Sequence, residues 1–152
     1  MKYFILSVAV LFFAHYSQAQ STYHQALGAR FIGGTTISYK NYISDNNLEF
    51  QGSFWKHGFR FAGLYEFNYA IEGVDGLNFI LGPGAHLGFW NKEYKDKKDA
   101  GTEFGIDGII GLDYKIPSVP INLSVDWQPS IVLAGGSDFT PNMGGIGIRY
   151  TF

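Results

Sequence analysis

Most of this chain alternates between apolar and polar residues along continuous segments, and within those segments every charged residue falls on the polar side. Segment 121–133 is the clearest case, with apolar residues at its odd positions and Asn122, Ser124 and Asp126 between them. The final segment, 146–152, alternates in the same way. A period of two indicates β-strands whose two faces meet different surroundings. The pattern therefore predicts a sheet with two chemically distinct sides rather than a helical fold.

Eight alternating segments are found after the N-terminal region, and each predicts one strand. They are residues 27–31, 37–40, 48–55, 59–69, 77–89, 104–116, 121–133 and 146–152. Several have ten residues or more, whereas a strand of a soluble protein usually has about 5–6 and a tilted membrane strand needs about 9–11. The predicted fold is all-β, an eight-stranded antiparallel up-and-down transmembrane β-barrel.

Charges on the polar face balance, and this balance indicates which face is inside. The basic residues are Arg30, Lys40, Arg60, Lys115 and Arg149, and the acidic residues are Glu49, Glu66, Asp107, Asp113 and Asp126. If the apolar face meets lipid, a register slip of one residue exposes these charges to hydrocarbon. Each Arg or Lys at the bilayer midplane then costs about 2–4 kcal/mol. We therefore expect a closed interior in which the ten residues form a network of paired charges.

Composition agrees with a membrane barrel and excludes several other classes. Charged residues make up 16% of the chain, against about a quarter in a soluble domain. Aromatic residues make up 18% and glycine is frequent, at 20 residues. The formal net charge of −2 leaves no basic footprint for nucleic acid. Because there is no cysteine, neither disulfides nor thiolate metal sites are available.

The N-terminal residues carry the features of a secretory signal. Lys2 precedes an apolar run at residues 3–14, and Ser17 and Ala19 provide the small residues of a cleavage site. The run is shorter than the roughly 20 residues of a membrane-spanning helix. We predict a signal peptide at 1–19 and a barrel domain at 20–152, with Sec-type export to the outer membrane.

The predicted connections differ in length between the two ends of the barrel. Residues 44–47, 72–76 and 117–120 read as short turns, whereas 91–103 and 134–143 read as long loops. Short turns at one end and longer loops at the other are typical of outer-membrane barrels. Loop 91–103 is the candidate for contact with an extracellular partner or with lipopolysaccharide phosphates, through Lys92, Lys95, Lys97 and Lys98.

The C-terminal residues 149–152 resemble the terminal strand of Gram-negative outer-membrane proteins, which ends in an aromatic residue. The resemblance implies that Tyr150 and Phe152 form a signal for the barrel-assembly machinery. The mature chain is similar in architecture to the membrane domain of outer membrane protein A and to outer membrane protein X. Segments 82–90, 108–114 and 123–129 look more specifically like small barrels of the Bacteroidota. The resemblance implies an integral protein of the outer membrane.

Function is less constrained, because this fold supports many activities. His86 with nearby acids is a candidate metal or acid–base site, but charge pairing explains the same residues, so we predict no enzyme activity, metal or cofactor. We expect a monomer, surrounded by outer-membrane lipid, that contributes to envelope integrity or to surface interaction through its outer loops. The alternatives are a narrow channel and a soluble, lipocalin-like carrier whose apolar face points inward.

Overall fold

A computed structural model describes residues 23–31, 34–91, 101–135, 139–140 and 144–152. The predicted signal peptide at 1–19 lies outside these residues, and so do Lys92, Lys95, Lys97 and Lys98 of the predicted loop. In the described ranges no helix is long and apolar enough to cross a membrane.

The described residues form ten β-strands. These are β1 (Gln25–Phe31), β2 (Thr35–Ile43), β3 (Asn46–Trp55), β4 (Gly58–Ala70), β5 (Leu77–Trp90), β6 (Thr102–Lys115), β7 (Ile121–Trp127), β8 (Ser130–Ala134), β9 (Phe139–Thr140) and β10 (Gly144–Thr151). Every pairing between them is antiparallel.

The sheet closes on itself. From β1 to β6 each strand pairs with the next along the chain, and β10 pairs with both β1 and β7. Strands β7 and β8 both pair with β6, so together they occupy one strand position of the barrel. Strand β10 pairs with β7 and β9 pairs with β8, so β9 and β10 together occupy the next position. The prediction of an all-β, closed, eight-stranded antiparallel barrel is confirmed.

One predicted strand is interrupted. Residues 121–133 form β7 and β8, and Gln128 and Pro129 between them lie outside both. Proline has no N–H to donate to the ladder, but its carbonyl accepts from the Gly108 N–H at 2.9 Å. The register against β6 is therefore the same on both sides of the break. A cavity of about 170 Å³ opens there on the outer wall, beside Phe139.

The connections are shorter than predicted at three places. Asn46 and Asn47 belong to β3, so the first turn is Ser44–Asp45 alone. Glu103, predicted to end a loop, is the second residue of β6, and β9 lies within the predicted loop 134–143. We call the end of the barrel with connections 44–45, 71–76 and 116–120 the turn end, and the opposite end the loop end.

The two faces of the wall differ in polarity, with polar side chains mostly facing the interior and apolar side chains mostly facing outward. On β4 the side chains of Arg60 and Ala62 are 4% and 2% exposed, while Phe61 between them is 46% exposed. Among the described strands, charged side chains are buried in the interior except Lys115, which is half-buried. The outer wall carries large apolar side chains throughout, including Leu27, Ile37, Phe50, Phe61, Leu81, Leu87, Ile106, Leu112, Val125, Ile131 and Ile148.

The interior is not wholly polar. Leu64, Ile80 and Ile109 form a small buried apolar cluster. On β4 Leu64 lies between Arg60 and Glu66 in sequence, and on β6 Ile109 lies between the two inward-facing aspartates. The apolar cluster therefore separates charged groups near the loop end from charged groups near the turn end.

Close packing of the interior wall gives a stability prediction. A Cβ atom on Gly82 would overlap the carbonyl oxygen of Tyr65 on β4, whereas a Cβ on the outward Gly63 would meet nothing closer than Phe50 at 3.9 Å. We expect Gly82→Ala to lower the free energy of unfolding by about 1–3 kcal/mol, because overpacking forces the wall to shift.

The matched control is Gly63→Ala, which adds the same methyl group to open space. Urea unfolding followed by tryptophan fluorescence measures both variants. Equal effects for the two substitutions would contradict the close approach of β4 and β5.

Candidate functional site: the charged interior

Lys40 is the centre of the charged group near the turn end. Its Nζ lies 2.8 Å from Glu66 Oε2 and 2.7 Å from Asp113 Oδ2. Glu49 Oε2 lies further away, at 3.8 Å. These four side chains come from β2, β4, β6 and β3, so the contacts cross the interior rather than following one hairpin.

Arg149 on β10 extends the same group. Its Nη2 donates to Glu49 Oε1 at 2.8 Å, its Nε donates to Ser38 Oγ at 2.6 Å, and its Nη1 donates to Ser124 Oγ at 2.9 Å and Asn122 Oδ1 at 3.2 Å. The guanidinium thereby links β10 to β2, β3 and β7. We call Lys40, Glu49, Glu66, Asp113 and Arg149 the Lys40 cluster.

A second pair joins the first barrel strand to β7. Arg30 Nε donates to Asp126 Oδ2 at 3.0 Å, and Arg30 Nη2 contacts Asp126 Oδ1. This is the two-pronged geometry in which a planar guanidinium matches a carboxylate. Both side chains are almost completely withdrawn from solvent.

The His86 cluster lies near the loop end and consists of Arg60, His86, Glu103 and Asp107. Arg60 Nη2 contacts Asp107 Oδ1, and His86 Nδ1 lies 2.9 Å from Asp107 Oδ2 and 3.0 Å from Arg60 Nη2. His86 Nε2 faces Glu103 Oε1 at 3.9 Å. A Cβ on Gly105 would overlap the imidazole ring, so this glycine makes room for it.

Two residues depart from the predicted network. Lys115 ends β6 at the rim, where its Nζ donates to the carbonyl oxygens of Ile116 at 2.8 Å and Val119 at 2.6 Å. It has no carboxylate partner among the described residues, because the adjacent turn offers nearer acceptors. Glu103 is buried in the interior, although the sequence predicts a loop at this position. Its separation from Asp107 by four residues, with Gly105 between, was the signal that this position faces inward.

Tyr23 precedes β1 and packs edge-on against Tyr42, with ring centroids 4.3 Å apart, and the two hydroxyl groups contact each other. Burial, followed by the nearby charge of Asp113, raises the pKa of the Tyr23 phenol well above its usual range. The phenol therefore stays protonated and remains available as a donor.

The last residues close the seam of the barrel. Phe152 N donates to Gln25 O at 2.9 Å, and Gln25 N donates to Phe152 O at 3.0 Å. The Phe152 side chain points outward and is exposed, and its ring stacks on that of Tyr150 at 6.2 Å. The two residues predicted as an assembly signal thus lie at the junction of the first and last strands.

Chemically, the interior consists of paired ions and hydrogen bonds held inside a narrow wall. No group of three or more His, Asp or Glu side chains in the described ranges is arranged to hold a metal ion. Comparison of the chain with protein-family models, with curated proteins and with solved structures finds no match. The barrel architecture does not by itself identify a family, since many unrelated functions share it.

The Arg30–Asp126 pair gives a test of the paired interior. Arg30→Met leaves the Asp126 carboxylate buried without its bidentate partner, and we expect a loss of about 3–5 kcal/mol in the free energy of unfolding. The double variant Arg30→Met/Asp126→Leu removes both ions, and we expect it to recover most of that loss.

Lys56→Met, in an exposed turn, serves as the control and should leave the unfolding midpoint unchanged. Denaturant unfolding of all three variants gives the comparison. If the double variant is less stable than Arg30→Met, then Arg30 is not the main partner that stabilises the Asp126 carboxylate.

Proposed function

We propose that this chain is an integral outer-membrane β-barrel protein, without enzyme activity, whose closed, charge-paired interior supports a role in envelope integrity or surface interaction. The observation that carries the proposal is the inverted distribution of side chains. Charged residues of the described strands lie in the interior, except Lys115 at the rim, while the outer wall exposes phenylalanine, leucine, isoleucine and valine on every side.

Such an outer wall is suited to lipid rather than to water. Soluble monomers rarely expose contiguous apolar patches beyond a few hundred Å², whereas exposed apolar side chains occur here on all ten described strands. A soluble carrier of the lipocalin type requires the opposite arrangement, with the apolar face around an internal ligand. The position of Arg30, Lys40 and Arg149 inside the wall supports the membrane protein over this alternative.

Strand length and aromatic placement support the same proposal. Strands β4, β5 and β6 have 13, 14 and 14 residues, more than the 9–11 that a tilted strand needs to span the hydrocarbon region. Trp55 and Trp90 lie together at the loop end, with ring centroids 5.5 Å apart, and Tyr69 and Phe79 lie together towards the turn end. Aromatic residues at both interfaces are typical of these barrels.

The interior favours a closed barrel over a channel. Eight strands leave an interior that side chains can fill, and here salt bridges cross it at two levels with Leu64, Ile80 and Ile109 between them. We therefore propose that the protein interacts with its partners through its outer surface. The partners we propose are outer-membrane lipid, the barrel-assembly machinery during biogenesis, and an extracellular molecule or lipopolysaccharide phosphate at loop 91–103, with the barrel a monomer.

Placing a charge on the outer wall tests the membrane proposal. We expect Ile110→Arg to make folding into a bilayer less favourable by about 2–4 kcal/mol, because the guanidinium would lie in hydrocarbon. Val74→Arg is the matched control, since Val74 is also exposed but lies in the 71–76 turn. The folded fraction in vesicles is read from heat-modifiable gel migration.

If the outer wall meets water instead, Ile110→Arg should have little effect on folding. The wild-type chain should then also be recovered without detergent. Planar-bilayer conductance separates the closed barrel from the channel. Large, steady currents through the wild-type protein would replace the proposal with a porin-like function.

The terminal residues give a prediction about biogenesis. We expect Phe152→Ala to reduce the amount of folded barrel in cells, with little effect on folding from urea into detergent, because the resemblance assigns Phe152 to recognition by the assembly machinery. Phe139→Ala, another exposed aromatic residue, is the control. Equal losses in cells and in detergent would make Phe152 a purely structural residue of the seam.

A further inference from the structure

The Lys40 cluster contains more acid than base. Its two basic groups, on Lys40 and Arg149, face three carboxyl groups, on Glu49, Glu66 and Asp113. All five residues are at most 1% exposed. Arg30, a further buried cation of the interior, is engaged by both oxygens of Asp126. If every carboxyl group were ionised, the cluster would hold a net negative charge away from solvent, which is costly unless it is compensated.

The hydrogen bonds show where the excess lies. Four of the six carboxyl oxygens have donors: Glu49 Oε1 accepts from Ser38 and Arg149, Glu66 Oε2 from Lys40 and Asn47, Asp113 Oδ2 from Lys40, and Asp113 Oδ1 from Asn122. The remaining two, Glu49 Oε2 and Glu66 Oε1, are buried and have no hydrogen-bond partner with a donor group.

The two oxygens without donors belong to carboxyl groups that share one ammonium group, since Lys40 Nζ lies 2.8 Å from Glu66 Oε2 and 3.8 Å from Glu49 Oε2. Glu49 and Glu66 lie on the adjacent strands β3 and β4 and are offset by two residues in register, because Glu66 pairs with Asn47 and Glu49 pairs with Leu64. Two ionised carboxylates around the same ammonium group repel each other, since both present only acceptors. A single proton converts the repulsion into an O–H···O⁻ hydrogen bond, which is among the strongest found in proteins.

We propose that Glu49 and Glu66 form a buried proton-binding site that is occupied at neutral pH, with Glu66 carrying the proton and donating it to Glu49 Oε2. Glu49 is the ionised member, because its other oxygen already accepts from the Arg149 guanidinium at 2.8 Å and from the Ser38 hydroxyl. Glu66 shares the ammonium group of Lys40 with Asp113. The bound proton makes the cluster neutral, with two positive and two negative charges.

The other titratable groups around the site do not supply this proton. Tyr23 and Tyr42 bond to each other by their hydroxyl groups on the turn-end side. Lys40 and Arg149 are donors that are already engaged with carboxylates. The proton therefore comes from solvent when the chain folds, and the site closes around it. This inference concerns the interior alone and holds whether the outer wall meets lipid or water.

Occupancy of the site makes stability depend on pH with a defined sign. The folded chain keeps a proton on Glu66 that an unfolded chain releases near pH 4.3, the ordinary value for glutamate. Above that pH the folded state binds more protons, so stability falls as pH rises, by at most about tenfold per pH unit in the folding equilibrium constant. The decline ends where the folded barrel itself loses the proton.

Glu66→Gln is the decisive variant, because an amide has the shape of a protonated carboxyl group and can donate to Glu49 in its place. Infrared spectroscopy of the folded wild-type barrel at pH 7.5 should show the carbonyl stretch of an un-ionised carboxylic acid. We expect the band to disappear in Glu66→Gln and to remain in Glu72→Gln, which alters an exposed turn residue.

The pH dependence of the folding equilibrium constant gives a second test. Replacing a glutamate that binds no proton at neutral pH would leave this dependence unchanged. Between pH 6 and pH 9 the folding equilibrium constant of the wild type should fall as pH rises. For Glu66→Gln this dependence should be weaker, by up to about tenfold per pH unit, because the variant has no proton to lose at this position. If the variant does not fold, proton uptake by the wild-type chain on folding in weak buffer at pH 7.5 replaces it. A wild-type barrel without the infrared band, or without proton uptake, overturns the proposal, and so does a band that persists in Glu66→Gln.

Discussion

Ion pairs across the interior hold this barrel in register, and the rest of the structure depends on them. The four principal pairs each join strands that are not neighbours along the chain: Arg30 with Asp126, Lys40 with Asp113, Arg60 with Asp107 and Arg149 with Glu49. A slip of one residue in any strand turns its charges to the outer wall and leaves their partners buried without counter-ions. Backbone pairing and the charge network therefore support each other, because a slip of one residue disrupts both.

The fold was largely predictable from the sequence, because a strand has a fixed period of two and the chain keeps to it. Alternation alone placed Arg60 and Phe61 on opposite faces and identified all eight strand positions of the barrel. It also assigned the inward face to nine charged residues that the structure buries. What it did not supply was the choice of partners. Which carboxylate faces Lys40 depends on strand tilt and barrel diameter, neither of which is encoded in the alternation.

The remaining differences occur where a local effect outweighs the period. Pro129 removes a backbone donor and so divides one strand into β7 and β8, although the register continues through the break. Lys115 lies at the rim, where turn carbonyls are nearer than any inward carboxylate. Glu103 was assigned to a loop because charged residues precede it in sequence, and the pairing of β5 with β6 extends further than composition suggests.

A filled interior also limits what the barrel can do. Glycine occurs on the inner wall where a neighbouring side chain needs the space: a Cβ on Gly105 would overlap His86, and one on Gly147 would overlap the Arg149 guanidinium. The inner volume is thus already assigned to specific side chains, and Leu64, Ile80 and Ile109 occupy the level between the charged groups. A ligand or a column of mobile ions could enter only by displacing paired charges, at the cost of leaving some of them unpaired. Contact with other molecules is accordingly expected at the outer wall and at the connections of the loop end, where substitution does not disturb the interior network.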